Sequence, residues 1–195
     1  MTPLSTGQVA WYVTGRFYKS FEGWLEDLGY FIHLQGLDGP LFDAPPGAPP
    51  SESTALLTFR AEPFRSVSFT NGDLALSVDP VGEFSLFLRQ RPGASFARPD
   101  SFSEGTRIAT FRRASVVLGA DFTEERKRAL SLNVFTAKLV WSTEFEFQGR
   151  IHDLKRLLPH GITQWGEAGP TGVMPPTSRF TSVVPFIGSA VTVGP

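Results

Sequence analysis

Five polar residues fall in phase late in the chain: Lys138, Ser142, Glu144, Glu146 and Arg150. On an extended strand they share one face, with same-face neighbours ~7 Å apart. Facing solvent, they form an ordinary polar surface. Facing a cavity, Glu144 or Glu146 becomes a buried carboxylate, and burial raises a carboxyl pKa toward the range useful for proton transfer. Arg150 is then its natural partner, or an anchor for a substrate carboxylate. His33, on a separate apolar stretch, serves as a general acid or base if it points inward. The candidate catalytic set is Glu144, Glu146, His33 and Arg150.

The other chemistry-bearing residues are aromatic. There are 18 Phe beside 2 Met. Trp11, Tyr12, Trp24, Tyr30, Trp141 and Trp165 add rings with a polar tip. Such side chains either fill a core or line a pocket for a flat or greasy ligand. The candidate ligand-binding set is Trp11, Tyr30, Phe135, Trp141 and Phe145.

Much chemistry is excluded by type and spacing. With no cysteine, there is no thiol nucleophile, zinc-thiolate site or disulfide framework. The histidines His33, His152 and His160 match no metal-ligand spacing. No Walker loop, dinucleotide fingerprint, zinc-protease helix or nucleophile elbow occurs. No cofactor and no metal are therefore expected. With 18 basic and 19 acidic residues the net charge is -1, which offers no footprint for nucleic acid. The start lacks a basic and apolar leader, and no stretch reaches the ~20 apolar residues of a spanning helix. The expected setting is cytoplasmic, with no membrane span.

The elements that must position these residues read as strands. Val9 to Phe17 alternates strictly. Phe21 to Leu28 reads as a helical turn or wide loop, then Gly29 to Gln35 as a strand. Arg65–Thr70 and Asp73–Val78 flank Asn71-Gly72, the pair a type I′ hairpin turn demands. A turn at Asp79-Pro80-Val81-Gly82 leads to a strand at Glu83–Arg91, so a meander is expected. Thr106 to Leu118 gives a strand or pair, and Thr123–Arg128 a charged turn. Asn133 to Ile151 is the longest alternating stretch, with Phe135, Ala137, Leu139, Trp141, Phe145 and Phe147 on one face. A strand that long must be tilted, coiled or broken by a bulge. His152 to Leu158 reads as a short helix. The Pro-rich loop 38–53 is a potential lid, and the Gly/Pro-rich segment 167–195 ends as an edge strand or a tail.

On the first strand, Gly15-Arg16-Phe17-Tyr18 resembles the Gly-x-Trp-Tyr opening of the lipocalins, with Phe17 where that family has Trp. The resemblance covers four residues and implies only architecture, a calycin-like barrel.

The expected fold is one all-β domain over residues 1–195. It is an antiparallel up-and-down barrel with about one short helix, or alternatively a β-sandwich. The leading functional expectation is a barrel that binds a small hydrophobic or aromatic molecule in an aromatic-lined cavity. Close behind stands a cofactor-independent cyclase, isomerase or lyase using the same cavity. A filled core would point instead to a structural or partner-binding module.

Overall fold

In the computed structural model the described residues are 2–65, 67–71, 74–79, 82–113, 117–122, 131–169 and 172–194. Their strands are, in chain order, β1 (Val9–Ser20), β2 (Leu25–Leu34), β3 (Leu57–Ala61), β4 (Val67–Asn71), β5 (Leu74–Asp79), β6 (Glu83–Leu88) and β7 (Thr106–Arg113). They continue with β8 (Val117–Phe122), β9 (Ser131–Ser142), β10 (Phe145–Phe147), β11 (Arg150–His152), β12 (Ile162–Ala168) and β13 (Phe180–Thr192). A single α-helix among the described residues, α1 (Leu154–Leu157), follows β11.

Eight antiparallel strands close into a barrel in the order β1-β2-β3-β6-β7-β9-β12-β13, with β13 returning to β1. This is the all-β barrel that the alternation implied. The meander is not continuous, however. β6 fills the edge of β3 from Leu57↔Leu88 to Ala61↔Phe84. The hairpin β4–β5 therefore steps out of the wall and pairs with β8. Asn71 pairs with Leu74, the register of a two-residue loop. The Gly72 half of that turn, the centre of the Asp79–Gly82 turn and the Thr123–Arg128 run lie outside the described residues.

The length of β9 has a topological cause. One edge pairs with β8 near Leu132 and then with β7 from Ala137 to Ser142, while the other edge holds β12. A bulge sits at Val140, since Thr110 faces Trp141 but Phe111 faces Leu139. The extra residue breaks the alternation there. Phe135 and Ala137 stay buried, but Val140 and Trp141 both face solvent. Trp141 thus leaves the inward phase expected of it. The long stretch then ends at Thr143, and a separate hairpin β10–β11 turns at Gln148-Gly149, both at positive φ as a type I′ turn needs.

Two further readings are corrected. Phe21 to Leu28 is the tight end of a β1–β2 hairpin. The C-terminal stretch is a wall strand, paired from Val9↔Val191 to Ser20↔Phe180 with β1 and along its other edge with β12. Pro185 is tolerated because the β12 ladder ends at Ala168↔Phe186. Its carbonyl accepts from Gly169 N (2.7 Å) on that side, so its missing N–H falls where the ladder has run out.

A train of rings fills the barrel. Trp11 meets Phe31 and Phe111 edge-on at 5.6 and 5.5 Å, and Phe111 stacks on Phe84 at 5.2 Å. Phe84 touches Phe135, Phe31 touches Phe59, and Phe59 reaches Phe186. Each such pair contributes about 0.5–1.5 kcal/mol beyond its buried area. The rings reach the wall because Gly15 faces Gly29 across β1–β2. A Cβ on Gly29 would lie 2.1 Å from the Thr14 carbonyl oxygen and 2.9 Å from the Phe59 ring. Phe145, Phe147, Leu154 and Leu157 join the same core from the β10–β11 hairpin and α1.

Outside the wall, residues 89–105 form a second layer. Phe96 and Phe102 pack with Tyr18, Leu28 and Phe180 in a separate cluster. Tyr18 donates its hydroxyl to Phe96 O (3.2 Å), and Thr58 donates to Phe102 O (2.7 Å). The Pro-rich loop is docked at both ends, with Phe42 bridged to Ala55 and Leu41 buried.

Candidate functional site

The barrel interior carries an ion pair among its rings. Asp27 projects inward from β2 in phase with Gly29 and Phe31, and Arg113 from the end of β7. Their side chains meet at 2.6 Å, both buried. The Arg113 guanidinium lies over Phe64, Phe84 and Phe135, each 5.0–5.6 Å away. Trp11 donates from Nε1 to Gln164 Oε1 at 2.9 Å. The space left among Trp11, Asp27, Phe31, Phe59, Phe135 and Gln164 is about 10 Å³. That holds at most one water.

Trp11 is among the candidates from sequence, but Asp27, Arg113 and Gln164 are not. Asp27 was hidden because Phe21–Leu28 read as a turn, which put its strand phase out of view. Arg113 carried a signal in the doublet Arg112-Arg113: on a strand one of the two must face inward. Arg112 takes the outer position and pairs with Glu83, its cross-strand partner, at 2.6 Å.

The candidate catalytic residues are on the outside and are not brought together. Glu144 pairs with Arg156 at 3.0 Å and Arg150 pairs with Asp38, all exposed. Glu146 is exposed on β10. His33 is exposed on β2 and shares a hydrogen bond with Gln35 (3.1 Å). Lys138 points outward from β9, and Ser142 donates to Asp153 (2.6 Å), which also caps α1 by accepting from Lys155 N.

The candidate ligand-binding residues divide. Trp11 and Phe135 lie inside the barrel. Tyr30 lies on the outer face, edge-on to Phe42. Trp141 is exposed beneath the Arg107 guanidinium at 4.8 Å. Phe145 stacks on His152 at 5.7 Å. His152 itself is buried, and neither ring nitrogen finds a hydrogen-bond partner among the described residues. Among the described residues no cluster of His, Asp or Glu could hold a metal ion.

An open aromatic site lies at the β1–β2 turn. Gly23 adopts φ 80°, and Ser20 clasps Trp24 from both sides, its N–H donating to the Trp24 carbonyl and its hydroxyl accepting from Trp24 N. This clasp leaves Phe21 73% exposed and Trp24 38% exposed. Leu25 and Phe64 exchange two backbone hydrogen bonds of 2.8 Å, which bring Pro63 alongside. Arg65 stacks over Trp24 at 4.4 Å. Arg179 closes the far side, held by Glu26 at 3.4 Å. Glu26 is buried and also binds Arg60 (2.9 Å). Burial pulls the Arg60 pKa down, but Glu26 and Asp100 outweigh it and the net shift is upward. The resulting cleft holds about 500 Å³ and is lined by Phe21, Glu22, Trp24, Pro63 and Arg179. That volume is typical of small-molecule sites. Another open groove, beside Arg89, Arg91 and Glu104, is lined mainly by polar groups.

No protein-family model, curated protein or solved structure matches the chain.

Proposed function

We propose that the chain is a binding barrel for a small hydrophobic or aromatic molecule, with its site in the cleft at the β1–β2 turn rather than inside the barrel. The observation that carries this reading is the contrast in space: about 500 Å³ beside Phe21 and Trp24 against about 10 Å³ within the ring train. Trp24, sandwiched on one face by Arg65, offers a pre-positioned ring for stacking, and little ordering entropy remains to be lost on binding. Native mass spectrometry of the purified chain, with titration of the recovered compound followed by tryptophan fluorescence, tests it. Phe21→Ala and Trp24→Ala should each weaken binding about tenfold, the scale of one lost apolar contact. Undiminished affinity in both variants sinks the reading.

A second reading is favoured by the Asp27–Arg113 pair, an ionisable couple within an aromatic lining. It is the cofactor-independent cyclase, isomerase or lyase, with Asp27 moving a proton and Arg113 holding the charge that develops. It requires the rings to part to admit a substrate. Turnover that survives Asp27→Asn but is lost in Glu146→Gln would move the chemistry to the outer surface.

A further inference from the structure

We infer that the groove where β6 ends and β7 begins is a binding site for a small polar phosphomonoester, with Arg89 and Arg91 as anchors for its phosphate. β6 and β7 are paired as far as Leu88↔Thr106, and residues 89–105 leave and rejoin the wall at that point. The groove there holds about 570 Å³, and its polar lining is Arg89, Gln90, Arg91, Glu104 and Thr106. That volume is typical of small-molecule sites.

Arg89 is built into the groove rather than laid over it. Its side chain is only 7% exposed. Its backbone N–H donates to Leu56 O (2.8 Å). Gly105 passes so close that a Cβ there would lie 3.2 Å from Arg89 Cγ. Arg89 Nε donates to the Arg91 carbonyl (3.3 Å), and Nη1 donates to the Ser101 carbonyl. Ser101 is itself fixed, its hydroxyl donating to Arg98 O (2.6 Å) and accepting from Ser95 N (2.9 Å). The guanidinium is thus pre-positioned, and each of its terminal nitrogens keeps a second N–H.

The charge around it selects the occupant. Residues 89–105 carry the arginines Arg89, Arg91 and Arg98 and the carboxylates Asp100 and Glu104. Asp100 pairs with Arg60 from β3 at 2.7 Å. Glu104, 50% exposed, is shared between Arg89 and Arg98 at 3.5 Å each, whereas Asp27 closes on Arg113 at 2.6 Å. The Arg91 side chain has no charged partner among the described residues. One loosely held carboxylate therefore faces three guanidiniums, and a buried charge is favourable only with a close counter-charge. A phosphomonoester carries about −1.5 to −2 charges at neutral pH on three acceptor oxygens, which matches that excess where a single carboxylate does not. The planar fork of arginine suits the same group. The phosphate fills only part of the groove. The remainder is faced by Gln90, Thr106 and Glu104, which bond hydroxyls, so the body of the ligand is polar.

Neither arginine lines the cleft at the β1–β2 turn, so the two sites are separable. The test is calorimetric titration of the full chain, in phosphate-free buffer, with ribose 5-phosphate, glucose 6-phosphate and glycerol 3-phosphate. At least one ester should bind and raise the melting temperature. Arg91→Ala and Gln90→Glu should each weaken that binding about tenfold or more, the scale of a hydrogen bond to a charged group. Both positions are exposed, so melts of these variants without ligand should match the native chain. Arg89→Lys, which keeps the charge and loses the fork, should weaken binding too, and Trp24→Ala should bind as the native chain does. No binding of any ester up to about 10 mM, an affinity too weak to matter, overturns the inference. So does unchanged affinity in both Arg91→Ala and Gln90→Glu, or succinate binding as tightly as the esters. Inorganic phosphate that matches every ester overturns it as well, leaving an adventitious ion only. A phosphoserine peptide that outbinds the esters overturns the small-molecule assignment and gives the groove to a protein partner.

Discussion

Arg113 Nη2 lies 2.6 Å from Asp27 Oδ1 inside a barrel otherwise packed with phenylalanine. Two charges taken from water into such surroundings are held by each other and by the ring faces. Removing one leaves the other uncompensated. Asp27→Ala should destabilise the fold by about 3–5 kcal/mol. The double variant Asp27→Ala/Arg113→Met should lose clearly less than the sum of the two single changes, because the pair is coupled. Urea unfolding of the four chains measures this, and simple additivity refutes it.

Phe111 stacks on Phe84 and meets Trp11 edge-on, fully buried. Phe111→Ala should cost about 3–5 kcal/mol. It should also leave an apolar void that takes up benzene, where the space now left beside Trp11, Phe84 and Phe135 is about 10 Å³. A benzene-dependent rise in melting temperature, in the variant alone, is the expected signature.

Gly15 and Gly29 face each other where the rings of Phe186 and Phe59 press on the wall. An added methyl at Gly29 meets backbone, which cannot swing aside as a side chain can. Gly29→Ala should therefore destabilise by about 3 kcal/mol, at the upper end of ordinary overpacking. Gly7→Ala, where nothing stands within 4 Å but φ is +80°, should cost only about 1 kcal/mol of backbone strain. Equal effects of the two changes in thermal melts would show that the close approach is unimportant.

Burial pushes the Tyr18 hydroxyl up to about 12, with Arg16 pulling the other way. An unfolded tyrosine ionises near ~10. Below that both states hold the proton, so stability does not depend on this group. Between pH about 10 and 12 the unfolded chain gives up the proton and the folded chain keeps it, so stability falls as pH rises. The loss amounts to about 2–3 kcal/mol. Unfolding followed across this range should show the decline in the native chain, and a shallower one in Tyr18→Phe. Equal slopes in the two proteins would contradict it.

Strand phase was legible in the residues because a period of two is local: each side chain's face depends only on its neighbours along the chain. That was enough for the all-β class, the barrel and the inward run of Phe135 and Ala137. It was not enough for Trp141, since the bulge at Val140 lies in the pairing of β9 with β7, a relation between distant segments. The same holds for the polar face from Lys138 to Arg150. Its spacing holds only for an unbroken strand, and the bulge at Val140 and the turn at Gln148-Gly149 break it, leaving Glu146 and Arg150 on the separate β10–β11 hairpin. Asp27 and Arg113 lie 86 residues apart, and no spacing rule joins them. The phenylalanines could be counted and phased from sequence. That they pack so closely, leaving about 10 Å³ among Trp11, Phe31, Phe59, Phe84 and Phe135, was decided by the tertiary structure, because free volume belongs to the assembled rings and to no single segment.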